Sequence, residues 1–295
     1  MSNHLAHRLL LGSSAWSAHA RDQIAIAAAS RQNVLITGPR GTGKKFLARA
    51  IHEQTSDRAR AFVPLHCDLL PSPIFESQLF GHIPGALVSP SGATLGCLRV
   101  ADGGTVLLNS PAALDIPSQE RLLQALQEKQ YFPVGCADPV ELNVRFIAAS
   151  SEDLRCLVDE GQFLRELYEE LAQLAIATVS LQQRAEDITI LAEHFLSEKS
   201  AHSAEGHRHF SGDALQWLQS YSWPGNVGEL KTLVDQVIGA GDEVGLDAVL
   251  SATAVMTGKP YVRKMLRRFV GFAGLRALEV HACRLDQAHL CKSKK

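Results

Sequence analysis

The sequence predicts an α/β domain, a parallel sheet flanked by helices, followed by a small all-helical lid. Three observations predict it. Short β-branched runs alternate with helical stretches through the first 180 residues, a glycine-rich string joins one such run to a helix, and strand signals stop near Glu186. The strand candidates are Val34–Thr37, 62–67, Thr105–Asn109, 144–149 and 175–181. Helical spacing between them falls at 44–53, 118–129 and 152–160, the second carrying Leu122, Leu123 and Leu126 on one stripe. Beyond Glu186 three helical stretches follow, at 187–199, Gly212–Ser220 and 226–238, with Trp217 and Trp223 in positions that suit a lid core. After Gly239 the pattern weakens. The expected division is 1–184 for the α/β core, 185–240 for the lid, and 241–295 for a linker and basic tail.

Composition narrows the class. Of 295 residues 46% are apolar and 20% charged, values of a folded globular chain that exclude a mostly disordered one or a fibre. Its apolar runs fall far short of the ~20 residues that cross a bilayer, so no membrane partner is expected. Six scattered cysteines, and an N-terminal stretch without an apolar core and cleavage site, fit a reducing cytoplasm. The net charge of -2 is an average over unlike parts. Residues 259–295 hold ten Lys or Arg and two acids, a local +8, which leaves 19 basic against 29 acidic residues, or -10, on the rest. That tail has the charge to contact DNA phosphates but no helix-turn-helix pattern. Its string HACRLDQAHLC matches no common zinc spacing, and no metal ligand set is expected.

The strongest chemical signal is GPRGTGKK: Gly38, Pro39, Arg40, Gly41, Thr42, Gly43, Lys44 and Lys45. It follows a short apolar strand and opens a helix, the context a phosphate-binding loop requires. Glycines let backbone N–H groups converge on phosphate oxygens, the helix start adds positive dipole, and Lys44 adds a cation. Lys45 stands where many such loops carry the Ser or Thr that ligates magnesium, which weakens metal retention.

Further strings extend the match. They are ESQLFGHIPGA at 76–86, VADGGTVLL at 100–108, QERLLQALQEKQYFPVG at 119–135, VRFIAASSEDL at 144–154, AEDITILAEHFL at 185–196 and WPGNVGEL at 223–230. In this order they resemble the AAA+ ATPase domain of bacterial enhancer-binding proteins, the sigma-54-dependent transcriptional activators, over about residues 9–240. The resemblance implies a P-loop AAA+ core with a helical lid, ATP as ligand, a ring of self or related AAA+ subunits up to a hexamer, and RNA polymerase as partner.

The departures from that family fall on its working residues. The strand that should end in Asp-Glu ends in Asn109 and Ser110, which lose the metal partner and the general base. The polymerase-contacting loop, Gly-Ala-Phe-Thr-Gly-Ala in the family, is Gly85, Ala86, Leu87, Val88, Ser89 and Pro90, which argues against sigma-54 contact. The trans-acting arginines fall at Leu164 and Glu170, with Arg165 one residue out of register, and the lid's sensor arginine is Gly228. Ser150 and Ser151 replace the Thr-Asn sensor, and His66 replaces the Asn that restrains the catalytic Glu. The sequence thus points to a nucleotide-binding regulator impaired in hydrolysis, a pseudo-ATPase with ATP as cofactor and weak magnesium binding. Two alternatives stay open: a weakly active subunit working in a mixed ring with an intact activator, and a nonfunctional truncated remnant.

Overall fold

The computed structural model of the chain describes residues 10–56, 58–69, 71–86, 95–200, 208–237 and 243–257. Two compact units emerge, one running through Asp187 and including Trp223–Gly228, the other formed by Ile188–Ser222 and the residues from Glu229.

In the first unit the strands are β1 (Val34–Thr37), β2 (Phe62–His66), β3 (Thr105–Asn109), the short antiparallel pair β4 (Gln130–Tyr131) and β5 (Val140–Glu141), β6 (Arg145–Ser150) and β7 (Leu174–Ala177). Five of them form a parallel sheet in the order β2-β3-β6-β1-β7. Alternate side chains divide between its faces, as the two-residue period of a strand dictates. Val34, Ile36, Leu107, Ile147 and Ala149 pack with Ile24 of the helix Ala15–Ala29 and with Leu47, Ala48 and Ile51 of the helix Lys44–Gln54. Leu35, Leu65, Val106, Leu108, Phe146 and Ala148 pack on the other face with Phe75 and Leu79 of the helix Ser72–Phe80 and with Leu122 and Leu126 of the helix Ile116–Glu128. With both faces covered, all six residues of the central β6 are buried, and each large apolar side chain contributes about 1.5–3 kcal/mol by leaving water.

Parallel strands joined by crossovers place all their C-terminal ends on one rim, where α/β sheets bind ligands. The register puts Thr37 beside Ser150, and Asn109 beside Ala149, so the glycine-rich loop after Thr37, the pair Asn109–Ser110 and the pair Ser150–Ser151 share that rim.

A buried carboxylate secures the start of this unit. Asp187 is fully buried and accepts from the N–H groups of Ser13 and Ser14 (both 2.8 Å) and from the hydroxyls of Ser14 (2.8 Å) and Ser17 (2.7 Å). Ser14 in turn caps the helix Ala15–Ala29 by accepting from Ser17 N–H.

Several boundaries differ from the sequence expectation. The strand expected at 175–181 spans only Leu174–Ala177, because Thr178 turns toward the phosphate loop and a Ser180/Gln183 capping box opens a 3-10 turn at Leu181–Arg184. The helix expected from 152 begins at Leu154, since Asp153 caps it. Helices at Ala15–Ala29, Ser72–Phe80 and Arg165–Leu171 were not foreseen.

The second unit is mostly helical. The helices Glu186–Ser200 and Asn226–Val237 lie mostly within it, and Gly212–Ser220 and Leu246–Thr257 entirely; the last lies where the sequence pattern weakens. Two-residue strands β8 (His209–Phe210) and β9 (Glu243–Val244) pair in parallel. Ile188, Leu196, Trp217, Leu218, Leu230, Val234 and Val249 are among its buried side chains, and Trp217 stacks on Tyr221 at 4.9 Å. Trp223, expected in the lid core, is buried but groups with the first unit. Among the described residues no helix is long and apolar enough to cross a membrane. Leu87, Val88, Ser89 and Pro90 and the basic tail 259–295 lie outside the described residues.

Candidate functional site

The chain leaves β1 through Gly38 (φ 134°) and turns at Gly41 (φ 76°), backbone conformations that side chains rarely adopt. Both are also closed by contact. A Cβ at Gly38 would lie 2.2 Å from Thr178 Oγ1, and one at Gly41 would lie 2.1 Å from the Gly225 carbonyl oxygen. Gly43 then leads into the helix Lys44–Gln54, and a Cβ there would meet nothing within 4 Å. One side of the loop is therefore open.

What holds the loop is a set of donors to its carbonyls. Asn226 donates from Nδ2 to the Arg40 carbonyl (2.8 Å), Gly228 N–H to that of Gly41 (3.1 Å), and an Arg184 guanidinium nitrogen to that of Thr42 (2.9 Å). In a trans peptide the next N–H points opposite to its carbonyl. With the carbonyls of 40, 41 and 42 bonded to the protein, the N–H groups of Gly41, Thr42 and Gly43 are turned the other way. An anion-binding nest is the consequence. Asn226, itself buried at a positive φ of 54°, also accepts from Leu181 N–H (2.8 Å) through Oδ1. Thr42 and Thr178 share a hydrogen bond of 2.7 Å between hydroxyls, and Thr178 donates to the Thr37 carbonyl (2.9 Å).

Lys44 is buried beside this nest, donating to the carbonyls of Gly38 (2.7 Å) and Pro39 (2.9 Å) and to Ser151 Oγ (2.8 Å). Burial, and secondarily the positive charge of Arg40, holds its pKa down to about 8. All three partners are neutral oxygens, so an incoming phosphate would supply the countercharge that the ammonium lacks.

At the end of β3, Ser110 sits in the left-handed region (φ 58°) and donates its N–H to the Ala149 carbonyl (2.8 Å). The Asn109 carboxamide lies 3.1 Å from His66 Nδ1, and His66 Nε2 lies 3.2 Å from Lys45 Nζ. Two of the positions at which the sequence departs from the family, His66 and Asn109, thus touch in one chain with Lys45. At the end of β6, Ser150 closes a turn by donating to the Glu152 carbonyl (2.8 Å), while Ser151 reaches Lys44.

The other predicted positions lie apart from this cluster. Leu164 caps the helix Arg165–Leu171, half-buried, its N–H donating to Gln119 Oε1 (2.8 Å). Glu170 accepts from Gln173 (3.2 Å), and exposed Arg165 pairs with Asp159 (3.6 Å). Gly85 has a φ of 81°, and Ala86 N–H closes a turn to Ile83 (3.2 Å). Sequence reading does not single out Thr178, Arg184 or Asn226. Only Asn226 leaves a local sign, as an Asn after Pro-Gly in a turn that asks for a left-handed residue.

The assembled rim can bind a polyphosphate and hold its charge. It lacks a carboxylate at the end of β3 to orient metal or water, and Ser110 has no basicity to act as general base.

Comparison with known proteins agrees with this architecture. The chain is 38% identical over 229 residues to the transcriptional regulatory protein ZraR of Escherichia coli K12, covering 78% of this chain and 52% of ZraR. It is 36% identical over 226 residues to the DNA-binding transcriptional regulator NtrC of Azospirillum brasilense, covering 76% of this chain and 47% of NtrC. The chain thus spans about half the length of the curated relatives it matches. Among solved structures, NtrX from Brucella abortus in complex with ATP matches with a TM-score of 0.75 and 30% identity over 81% of this chain and 53% of that one. A model of the AAA+ ATPase lid domain matches residues 182–252. Residues 10–177, more than half of the chain, match the sigma-54 interaction domain, and with its P-loop core and helical lid the chain belongs to that family.

Proposed function

We propose that the chain is a cytoplasmic transcriptional regulator of the sigma-54-activator type that binds ATP or a related nucleotide and has largely lost hydrolysis. The observation that carries this reading is the contrast on one rim between an intact phosphate nest with Lys44 and a strand end of Asn109 and Ser110. The N–H groups of Gly41–Gly43 and the Lys44 ammonium would hold the phosphates. Crystals of Brucella abortus NtrX with ATP support nucleotide as the ligand class. Nucleotide then acts as a ligand for assembly with self or related AAA+ subunits, with RNA polymerase as the eventual partner and sigma-54 contact weakened by the altered loop 85–90. The basic tail 259–295 would add nonspecific contact with DNA phosphates.

A fluorescent-nucleotide titration beside steady-state phosphate release tests the reading. Wild type should bind, Lys44→Ala should bind about tenfold more weakly or worse, and turnover should lie orders of magnitude below that of an intact family member. Equal affinity of wild type and Lys44→Ala, or robust magnesium-dependent turnover, would sink it.

A further inference from the structure

We propose that this site takes its nucleotide as the free polyanion, without a divalent cation, and that the Lys45 ammonium occupies the role the metal plays in other phosphate loops. The proposal rests on the nucleotide-binding reading above and concerns how the phosphate charge is met.

Donor counting along Lys45–His66–Asn109 carries the argument. An ammonium has three donors and no acceptor. At 3.2 Å from Lys45 Nζ, His66 Nε2 must therefore be the acceptor, which puts the proton of the neutral ring on Nδ1. Asn109 Nδ2 stands 3.1 Å from Nδ1, a donor against that donor, and the pair is satisfied only when the carboxamide is flipped to present Oδ1 instead. The opposite tautomer would set a ring N–H against an ammonium, a donor facing donors. With the carboxamide so flipped, the Asn109 side-chain oxygen is engaged by His66, Ser110 offers only a neutral hydroxyl, and the side chain after Lys44 offers no oxygen at all.

Magnesium needs near-octahedral oxygen ligands and is bound through carboxylates and phosphates. Here it would find a carboxamide already bonded and a cation in the hydroxyl's place. Asp68 is the carboxylate beside this chain, its Oδ1 lying 3.7 Å from His66 Nδ1. Among the described residues no group of three His, Cys, Asp or Glu side chains could hold a metal. The residues present do not fit magnesium.

They do fit a bare polyphosphate. The string 38–45 carries Arg40, Lys44 and Lys45 and no acid. Lys44 is buried on the loop's inner side, whereas Lys45 is exposed on the first turn of the helix and free to swing from His66 to a phosphate oxygen. An ammonium from the protein and a metal ion compete for the same phosphate oxygens, and the Lys45 ammonium is tethered there at high local concentration.

Titration of the full chain with a fluorescent ATP analogue, in excess magnesium and in excess EDTA, tests this. Wild type should bind within about threefold in the two buffers, a difference below the worth of one charge-assisted contact. Lys45→Thr should weaken binding in EDTA by about tenfold or more, and Lys45→Thr with Asn109→Asp should restore a preference for magnesium of similar size. Lys45 is exposed, so unchanged thermal melting of these variants should accompany the shifts. A tenfold loss of wild-type affinity in EDTA, or a Lys45→Thr variant as insensitive to magnesium as wild type, overturns this inference and leaves nucleotide binding standing. Absence of wild-type binding in both buffers overturns both.

Discussion

The C-terminal ends of β1 and β3 open on the same rim with only β6 between them, yet they have fared differently. Beyond β1, the loop is sewn in by buried Thr178 against Gly38, half-buried Gly225 against Gly41, and buried Asn226 and Arg184 on the carbonyls of Arg40 and Thr42. Beyond β3, Asn109, Ser110 and His66 are half-exposed and Lys45 exposed, and two polar contacts of 3.1 and 3.2 Å join Asn109, His66 and Lys45. The first region is tied into the fold by its own packing and hydrogen bonds. Chemistry at the second region lies on side chains that the core does not need. If hydrolysis is lost as proposed, point changes at β3 would remove it at little cost in stability, whereas changes in the loop beyond β1 would cost more.

The sharpest way to break the contrast is to strike the loop where it is packed. Gly38→Ala would place a Cβ 2.2 Å from Thr178 Oγ1 and 2.3 Å from the Thr178 carbonyl oxygen, at a φ of 134°. Strain and displaced backbone together should cost about 3 kcal/mol or more, which lowers Tm by roughly 6–12 °C in a domain of this size. Nucleotide affinity should fall with it. A calorimetric scan that superimposes on wild type would show that this end of β1 is no more committed to the fold than the end of β3.

Asn226→Ala should come next. It removes the donor to the Arg40 carbonyl and the acceptor for Leu181 N–H, and it strands the latter in a buried position. Leaving such groups unpaired costs about 1–3 kcal/mol each at most. Chemical unfolding should report a loss of about 2–3 kcal/mol with the slope unchanged. Restoring only the acceptor, as Asn226→Asp, should recover part of it. Equal losses for Ala and Asp would mean that the Leu181 contact contributes nothing.

A pH titration separates the loop's charge from its shape. Lys44, held down to about 8 against an ordinary 10.5, binds its proton less tightly in the folded chain than when unfolded. The penalty for folding it charged is fully present below pH 8, so this group's contribution to apo stability improves as pH rises from about 8 to 10.5. Nucleotide binding runs the other way. Phosphate favours the ammonium, so affinity should hold steady below pH 8 and decline above it by up to about tenfold per pH unit. Lys44→Arg, which keeps its charge throughout, should flatten that decline, and a decline of equal steepness in Lys44→Arg would assign it to another group.

How much of this was legible beforehand follows the same division. The sheet strands were readable because both faces are buried, so VLIT, TVLLN and RFIAAS stand out as apolar runs. The phosphate loop was readable because its glycines and lysine are dictated by local backbone geometry. Helices such as Ala15–Ala29 escaped because alanines blur the stripe, and Leu246–Thr257 because it is apolar around most of its girth. Thr178, Arg184 and Asn226 escaped for a different reason. Their role is a hydrogen bond to a loop at least 136 residues away, and no local pattern encodes a partner at that distance. The same holds for Lys45, His66 and Asn109, each legible as a departure but only the fold showing that they meet.

The smallest effect expected is the most informative about the contrast. Replacing Asn109 and Ser110 by Asp and Glu restores the acidic pair at half-exposed positions on the rim. The left-handed backbone at residue 110 is already carried by a non-glycine residue, so a Glu there adds little strain beyond what Ser110 bears. An Asp at 109 exchanges a carboxamide for a carboxylate of the same shape beside His66, and at that exposure the gained electrostatic contact is worth under about 1 kcal/mol. The double variant should therefore unfold within about 0.5 kcal/mol of wild type, a Tm shift of roughly 2 °C or less. A loss of about 2 kcal/mol would mean that Asn109 and Ser110 hold the end of β3 in place. Their substitution would then have been constrained by folding, and the two ends of the sheet would no longer differ in kind.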